Sequence, residues 1–166
     1  FFRKHPVFTG EELAKHLSSH GEVGRRAQEA LLAYHQKAGR LVRVRRGLYA
    51  VIPSGADTDS YAVDPFLVAA KLTPDSVLSH HTALEFHGKA HSVYTRITYS
   101  ASRPLGPLTF RSHVFRGTRF PHSLLRAGKI QVGVSTSERA GMELRVASLE
   151  RTLVDVLDRP DLSGSW

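Results

Sequence analysis

The sequence contains no cysteine, and it has no apolar run close to the length of a membrane-spanning helix. A helix that crosses a bilayer needs about 20 predominantly apolar residues, so we expect no membrane partner. Without cysteine, the chain can form neither disulfides nor cysteine-bearing metal sites. These absences are typical of a cytoplasmic protein.

The common sequence motifs of enzymes are also missing. The chain has no phosphate-binding loop, no GxGxxG, no G-x-S-x-G nucleophile elbow and no paired carboxylates. Grouped carboxylates are scarce, which argues against a magnesium-dependent nuclease because Mg²⁺ prefers oxygen ligands. The sequence therefore predicts no catalytic residue, no metal site and no cofactor.

What the sequence does have is positive charge near its start. Residues 1–52 hold 10 Lys and Arg against 4 Asp and Glu, and so supply +6 of the formal net charge of +8. A compact basic segment points to a polyanionic partner such as nucleic acid.

Residues 9–38 predict two helices joined by a short turn. Thr9 and Glu12 have the spacing of a capping box, and Phe8 can pack on Leu13 as a hydrophobic staple. The second helix is predicted over residues 23–38. Its core stripe at helical spacing is predicted as Val23, Ala27, Ala30, Leu31, Tyr34 and Ala38. Its first turns carry Arg25, Arg26, Gln28 and Glu29 outside that stripe, side chains suited to base edges and phosphates.

A basic β-hairpin is predicted directly after this helix, in the stretch GRLVRVRRGLYAVIP at residues 39–53. Strand alternation puts Arg43 and Arg45 on one face, and Val42 and Val44 on the other. Arg46 and Gly47 supply the turn. Neighbouring arginines repel each other unless an anion lies across them, although a solubilising strand edge is the plainer alternative.

The order helix, turn, helix and basic hairpin is that of a winged helix-turn-helix. We therefore predict a DNA-binding domain over residues 1–53, followed by a mixed α/β domain over residues 60–166, which makes the fold class α+β. A protein-docking role for the first module is the alternative. The candidate DNA-binding residues are Arg25, Arg26, Gln28, Arg43, Arg45 and Arg46.

The second module begins after a polar linker at residues 53–60. Helices are predicted over residues 65–72, 80–87 and 148–157, and strands over residues 94–100, 108–115, 129–134 and 143–146. The last helix is given a core face of Leu149, Leu153, Val156 and Leu157.

Two constellations in this module invite a chemical interpretation. His80, His81 and His87 share one short helix, but their spacing does not match H-E-x-x-H, so metal binding is not favoured. His81 and Glu85 are predicted to form a surface ion pair. Arg151 and Asp155 have the same i, i+4 spacing, and we expect this pair to hold its helix to a neighbour.

Three stretches in this order resemble the AbiEi-type antitoxins of type IV toxin–antitoxin systems, which are also described as regulators of viral defence. These are LVRVRRGLYAV, DSVLSHHTALEFHG and TSERAGMELRVASLERTLVDVL.

The resemblance implies a winged helix that binds promoter inverted repeats in double-stranded DNA, with Arg43, Arg45 and Arg46 in the wing. It also implies a domain that counters a nucleotidyltransferase toxin, without requiring direct contact. Since such proteins run on past the position of Trp166 and this chain starts at Phe1, we expect a fragment. A nuclease with a histidine-containing site is the alternative function.

Overall fold

The computed structural model describes residues 1–19, 21 and 24–163, which form six α-helices and two β-sheets. The predicted α+β class is therefore confirmed. The chain divides into two compact units. The first holds Phe1–Asp64 with the short segment Ala140–Met142, and the second holds Pro65–Arg139 and the residues from Glu143 on. No helix among the described residues is long and apolar enough to cross a membrane.

The first unit has a short strand, two helices and a hairpin. Its elements are β1 (Val7–Thr9), α1 (Gly10–Ser18), α2 (Arg25–Lys37), β2 (Leu41–Arg45) and β3 (Leu48–Val51). Strand β3 lies between β1 and β2 and pairs antiparallel with both. The sequence did not indicate β1, because three residues carry too little periodicity to reveal a strand.

Helix α1 begins with the predicted capping box. The backbone N–H of Glu12 donates to Thr9 Oγ1 at 3.2 Å, and the backbone N–H of Thr9 donates to Glu12 Oε2 at 2.8 Å. Phe8 and Leu13 lie in one buried cluster with Leu32 and Leu41. The predicted hydrophobic staple is thus part of the core of this unit.

Helix α2 is confirmed, but its inward side differs from the predicted stripe. Its buried residue is Leu32. Most of the predicted stripe is exposed or half-buried, namely Ala27, Ala30, Leu31, Tyr34 and Ala38. The prediction was wrong because it counted small alanines as core residues, although burying a leucine removes far more apolar surface from water. The remaining stripe residue, Val23, lies outside the described residues.

The second unit is built on a mixed sheet. Its helices are α3 (Pro65–Ala70), α4 (His80–Phe86), α5 (His122–Arg126) and α6 (Leu149–Asp158), followed by a 3₁₀ turn at Pro160–Leu162. Its strands are β4 (Val77–Leu78), β5 (Arg96–Ala101), β6 (Leu108–Phe110), β7 (His113–Arg119), β8 (Val134–Arg139) and β9 (Met142–Ala147). Their order in the sheet is β6-β7-β5-β4-β9-β8.

Strand prediction in this unit was right for β5 and β9 and wrong elsewhere. The single strand expected over residues 108–115 is a hairpin of β6 and β7, which turns at Arg111 with φ +55°. The strand expected over residues 129–134 is absent there, and β8 begins only at Val134. Helix α5 and strand β4 were missed because both are too short to show a period.

Helix α6 starts where predicted, with Ser148 Oγ accepting from the Arg151 backbone N–H at 3.3 Å. Its predicted core face is wrong, because only Val156 of that face is buried. The other members are exposed: Leu149 at 41%, Leu153 at 59% and Leu157 at 63%. Thr152 and Asp155 face the interior in their place.

Gly117 on β7 leaves the space that a buried tyrosine fills. A Cβ at this position would lie 2.8 Å from Tyr99 Cζ and 2.6 Å from Pro104 Cβ, both too close for real atoms. The Tyr99 ring is 1% exposed, and its hydroxyl accepts from the Leu105 backbone N–H at 3.2 Å. The ring therefore cannot move aside without losing both burial and this hydrogen bond.

We expect Gly117→Ala to lower the free energy of unfolding of the second unit by about 1–3 kcal/mol, as overpacking of a core does. Urea titration followed by circular dichroism measures this change. Gly106→Ala is the matched control, since among the described residues no atom beyond Gly106 and its two chain neighbours lies within 4 Å of a Cβ there. Equal stability of the two variants would contradict the packing role given to Gly117.

Candidate nucleic-acid interface

The backbone of Gly10, at the start of α1, joins three elements of the first unit. Its N–H donates to the carbonyl of Gly47 in the β2–β3 turn at 2.9 Å. Its carbonyl accepts from Gln28 Nε2 on α2 at 2.6 Å. The backbone of one residue thus ties the hairpin turn and α2 to the same end of α1.

The β2–β3 hairpin carries the predicted basic cluster, but its register is irregular. Arg43 pairs with Tyr49 and Arg45 with Leu48, so Val44 is an extra residue in a β-bulge. Residues opposite each other in a sheet share a face, and Leu48 and Tyr49 are successive residues on β3. Arg43 and Arg45 therefore lie on opposite faces, and the predicted shared face is wrong because a bulge shifts alternation by one residue.

The exposure of these arginines follows from this register. Arg43 is exposed and Arg45 is half-buried. Arg46 is exposed in the turn, next to Gly47, whose φ of +78° suits glycine. Val44 is buried and Val42 is half-buried.

The three candidate residues on α2 have different surroundings. Arg25 Nε lies 2.9 Å from Glu29 Oε1, and both side chains are largely exposed. Gln28 is half-buried and donates to Gly10, so its amide nitrogen is already engaged. Arg26 is exposed and has no hydrogen bond or ion pair with any residue that the structure describes.

Sequence reasoning missed the exposed apolar side of α2, which it had assigned to the core. Placing the large Leu32 at the centre of the inward side would have revealed it, because residues two positions away on a helix point roughly the opposite way. With Leu32 facing inward, Ala30 and Tyr34 point outward, and both are exposed in the structure.

The histidines of α4 in the second unit have partners within the protein. Both ring nitrogens of His81 lie on backbone carbonyls, those of Ser163 at 3.1 Å and Ser92 at 3.0 Å. His81 also pairs with Glu85 at 3.2 Å, and both side chains are 9% exposed, so the predicted surface pair is in fact buried. His87 Nε2 lies 2.8 Å from the carbonyl oxygen of Ala147. Among the described residues, no group of three or more His, Cys, Asp or Glu could hold a metal ion.

His80 is buried at the start of α4 in a left-handed backbone conformation, with φ +54°. Its Nδ1 lies 3.0 Å from Ser79 Oγ, which also accepts from Ser100 Oγ. Burial, with a smaller contribution from the Arg159 guanidinium, lowers the pKa of His80 to about 4. Asp161 and Asp158 oppose this shift, and Arg151 adds slightly to it.

Arg151 and Asp155 on α6 form the predicted pair, with Nε 3.6 Å from Oδ2 and both side chains nearly buried. Arg151 Nη1 also donates to the carbonyls of Val132 at 2.6 Å and Ile130 at 3.1 Å. The predicted structural role, holding the helix to a neighbour, is confirmed. Burial raises the pKa of Asp155 although Arg151 opposes the shift.

His80 should make the stability of the second unit depend on pH. Between about pH 6.5 and pH 4 the unfolded chain binds a proton at this residue that the folded chain excludes. We therefore expect the free energy of unfolding to fall as pH drops through this window, by up to about 3 kcal/mol. In His80→Asn, which tolerates the left-handed backbone, urea titrations should show a shallower fall. Parallel pH profiles of the two proteins would contradict the assignment.

Comparison with known proteins bears on the first unit. None of the curated proteins matches the chain. A family model described as "Transcriptional regulator, AbiEi antitoxin" matches residues 1–52, which contain α1, α2 and the arginine hairpin. Over these residues the resemblance to the AbiEi antitoxin family, first seen in the sequence, is confirmed.

Proposed function

We propose that the chain is a transcriptional regulator of the antitoxin type, which binds double-stranded promoter DNA through a winged helix-turn-helix in its first unit. The observation that carries this proposal is the pair of hydrogen bonds made by the backbone N–H and C=O of Gly10. It holds a basic hairpin and an exposed helix at one end of α1, the two elements that a winged helix presents to a duplex.

The proposed division of roles follows from exposure. Helix α2 enters the major groove, and the hairpin is the wing that lies along the phosphates or in a minor groove. The interface comprises Arg25 and Arg26 of α2, which Gln28 positions through Gly10, and Arg43, Arg45 and Arg46 of the hairpin. Arg43 and Arg46 are fully available to phosphate, whereas the half-buried Arg45 contributes less.

The second unit, in this proposal, is the effector of a type IV toxin–antitoxin system that defends against phage in the cytoplasm. It counters a nucleotidyltransferase toxin, without requiring direct contact. It is not an enzyme, because the histidines of α4 and the Arg151–Asp155 pair are used in internal contacts. A nuclease would need such groups open to substrate, and a metal-dependent one would need them arranged around the metal.

If the first unit docks a protein instead, its binding to the partner should need no duplex DNA and should change little with salt concentration. Duplex DNA carries condensed counterions, and each phosphate that a cation neutralises adds about 0.9 to the slope of log K against log salt. We expect Arg43→Ala and Arg46→Ala each to reduce that slope by about this amount and to weaken all duplexes similarly. Fluorescence anisotropy between about 50 and 200 mM salt measures both effects.

The matched control for these variants is Arg126→Ala, an exposed arginine of α5 in the second unit. It should leave the slope unchanged. A slope that falls equally in all three variants would indicate non-specific charge rather than a wing, and a wild-type chain without salt dependence would remove the proposal.

Repression and protection should be separable, because they are assigned to different units. Arg43→Ala and Arg46→Ala should abolish repression of a promoter reporter while leaving protection against a co-expressed nucleotidyltransferase toxin intact. Ile97→Ala should do the reverse, since Ile97 is 1% exposed and its truncation costs about 2–5 kcal/mol of stability. Leu149 and Leu153, which the sequence predicted to be core residues, are exposed and serve as controls. Loss of protection in folded wing variants would show that the two activities share one surface.

A further inference from the structure

The outward side of α2 carries small alanines and one tyrosine at its centre and cationic side chains at its edges. Ala27 and Ala30 are exposed, and Tyr34 is 62% exposed one turn further on. Arg26 and Lys37 flank this side and are also exposed. A helix of a globular protein usually directs such alanines toward its core. Here Leu32, with Gln28 and His35 half-buried beside it, occupies the inward side instead.

An alanine surface suits a helix that must enter a groove. The major groove of B-DNA is about 12 Å wide, close to the diameter of a helix with its side chains. Short side chains let the helix approach the base edges closely. A methyl group at that depth makes apolar contact with the C5-methyl of thymine, one of the features that distinguishes base pairs.

The polar side chains on the first turns of α2 differ in whether they already have a partner within the protein. Arg25 is paired with Glu29 at 2.9 Å, and Gln28 donates to Gly10 at 2.6 Å. These bonds engage Arg25 Nε and one N–H of Gln28, and they restrict how either side chain can reach a base edge. Arg26 has no such bond to the described residues, and its guanidinium matches the two acceptors of guanine, O6 and N7.

We propose that α2 specifies its DNA site through Arg26, which reads a guanine, and through the methyl groups of Ala27 and Ala30, which read neighbouring thymines. Gln28 is a positioning residue that sets the approach of α2 through Gly10, and Arg25 contacts phosphate. Charge complementarity supports duplex DNA as the occupant of this face, because residues 1–52 carry most of the excess positive charge. The inference rests on the proposed function.

The test starts from duplexes that the whole chain selects from a random pool. Each thymine of the preferred site is then replaced singly by deoxyuridine, which removes only the methyl group. One or two replacements should weaken wild-type binding by about fourfold, the value of one buried methyl. In Ala30→Gly at least one of these effects should disappear. Because each value is a ratio for one protein, the lower helix propensity of glycine does not affect it.

The guanine contact is tested with a matched pair of variants. Arg26→Ala should lose preference for the contacted guanine by about 5- to 150-fold, corresponding to about 1–3 kcal/mol. Arg25→Ala should retain that preference. Ala30→Leu should remove sequence preference by blocking close approach, yet still bind random duplex in a salt-dependent way.

The outcomes separate this inference from the proposed function. Salt-dependent duplex binding with no effect of deoxyuridine, or a guanine preference that depends on Arg25 instead of Arg26, would overturn the α2 assignment and leave DNA binding standing. A wild-type chain that binds no duplex would overturn both, and the alanine face would then belong to a protein partner.

Discussion

The arrangement of the first unit depends on the backbone hydrogen bonds of one residue, Gly10. Its N–H and C=O belong to the first turn of α1, where the backbone N–H groups of a helix lack partners within the helix. In the capping box, the backbone N–H of Glu12 donates to the Thr9 side chain. The backbone N–H of Gly10 donates to the carbonyl of Gly47 in the hairpin turn. Gln28 then bonds the Gly10 carbonyl from α2. The geometry of the proposed interface follows from satisfying backbone groups that would otherwise lack partners.

The second unit has a comparable constraint in the Arg151–Asp155 pair. Removing one partner of a buried pair costs about 3–5 kcal/mol, because the other charge is left without compensation. Arg151 Nη1 also donates to the carbonyls of Ile130 and Val132. The Arg151 Cβ packs over Gly133, 2.8 Å from the position that a Cβ on Gly133 would take. These contacts fix which side of α6 faces inward. They leave Leu149, Leu153 and Leu157 on the outside.

Helices α2 and α6 therefore share one property. In each, a polar side chain that bonds distant backbone carbonyls occupies the inward side, Gln28 in α2 and Arg151 in α6. Apolar residues that a pattern would bury are exposed as a result. For α2 this exposes a surface suited to a groove, and the function proposed for the first unit depends on that exposure.

The features that arise from neighbouring residues could be predicted from the sequence alone. The capping box at Thr9, the turn at Gly47, the Arg151–Asp155 spacing and the basic character of residues 1–52 need no partner from elsewhere in the chain. Tertiary contacts set the inward sides of α2 and α6, the bulge at Val44 and the pairing of β1 with β3. Each of these features depends on hydrogen bonds to backbone groups that are distant in the sequence. Local periodicity does not show where those groups lie.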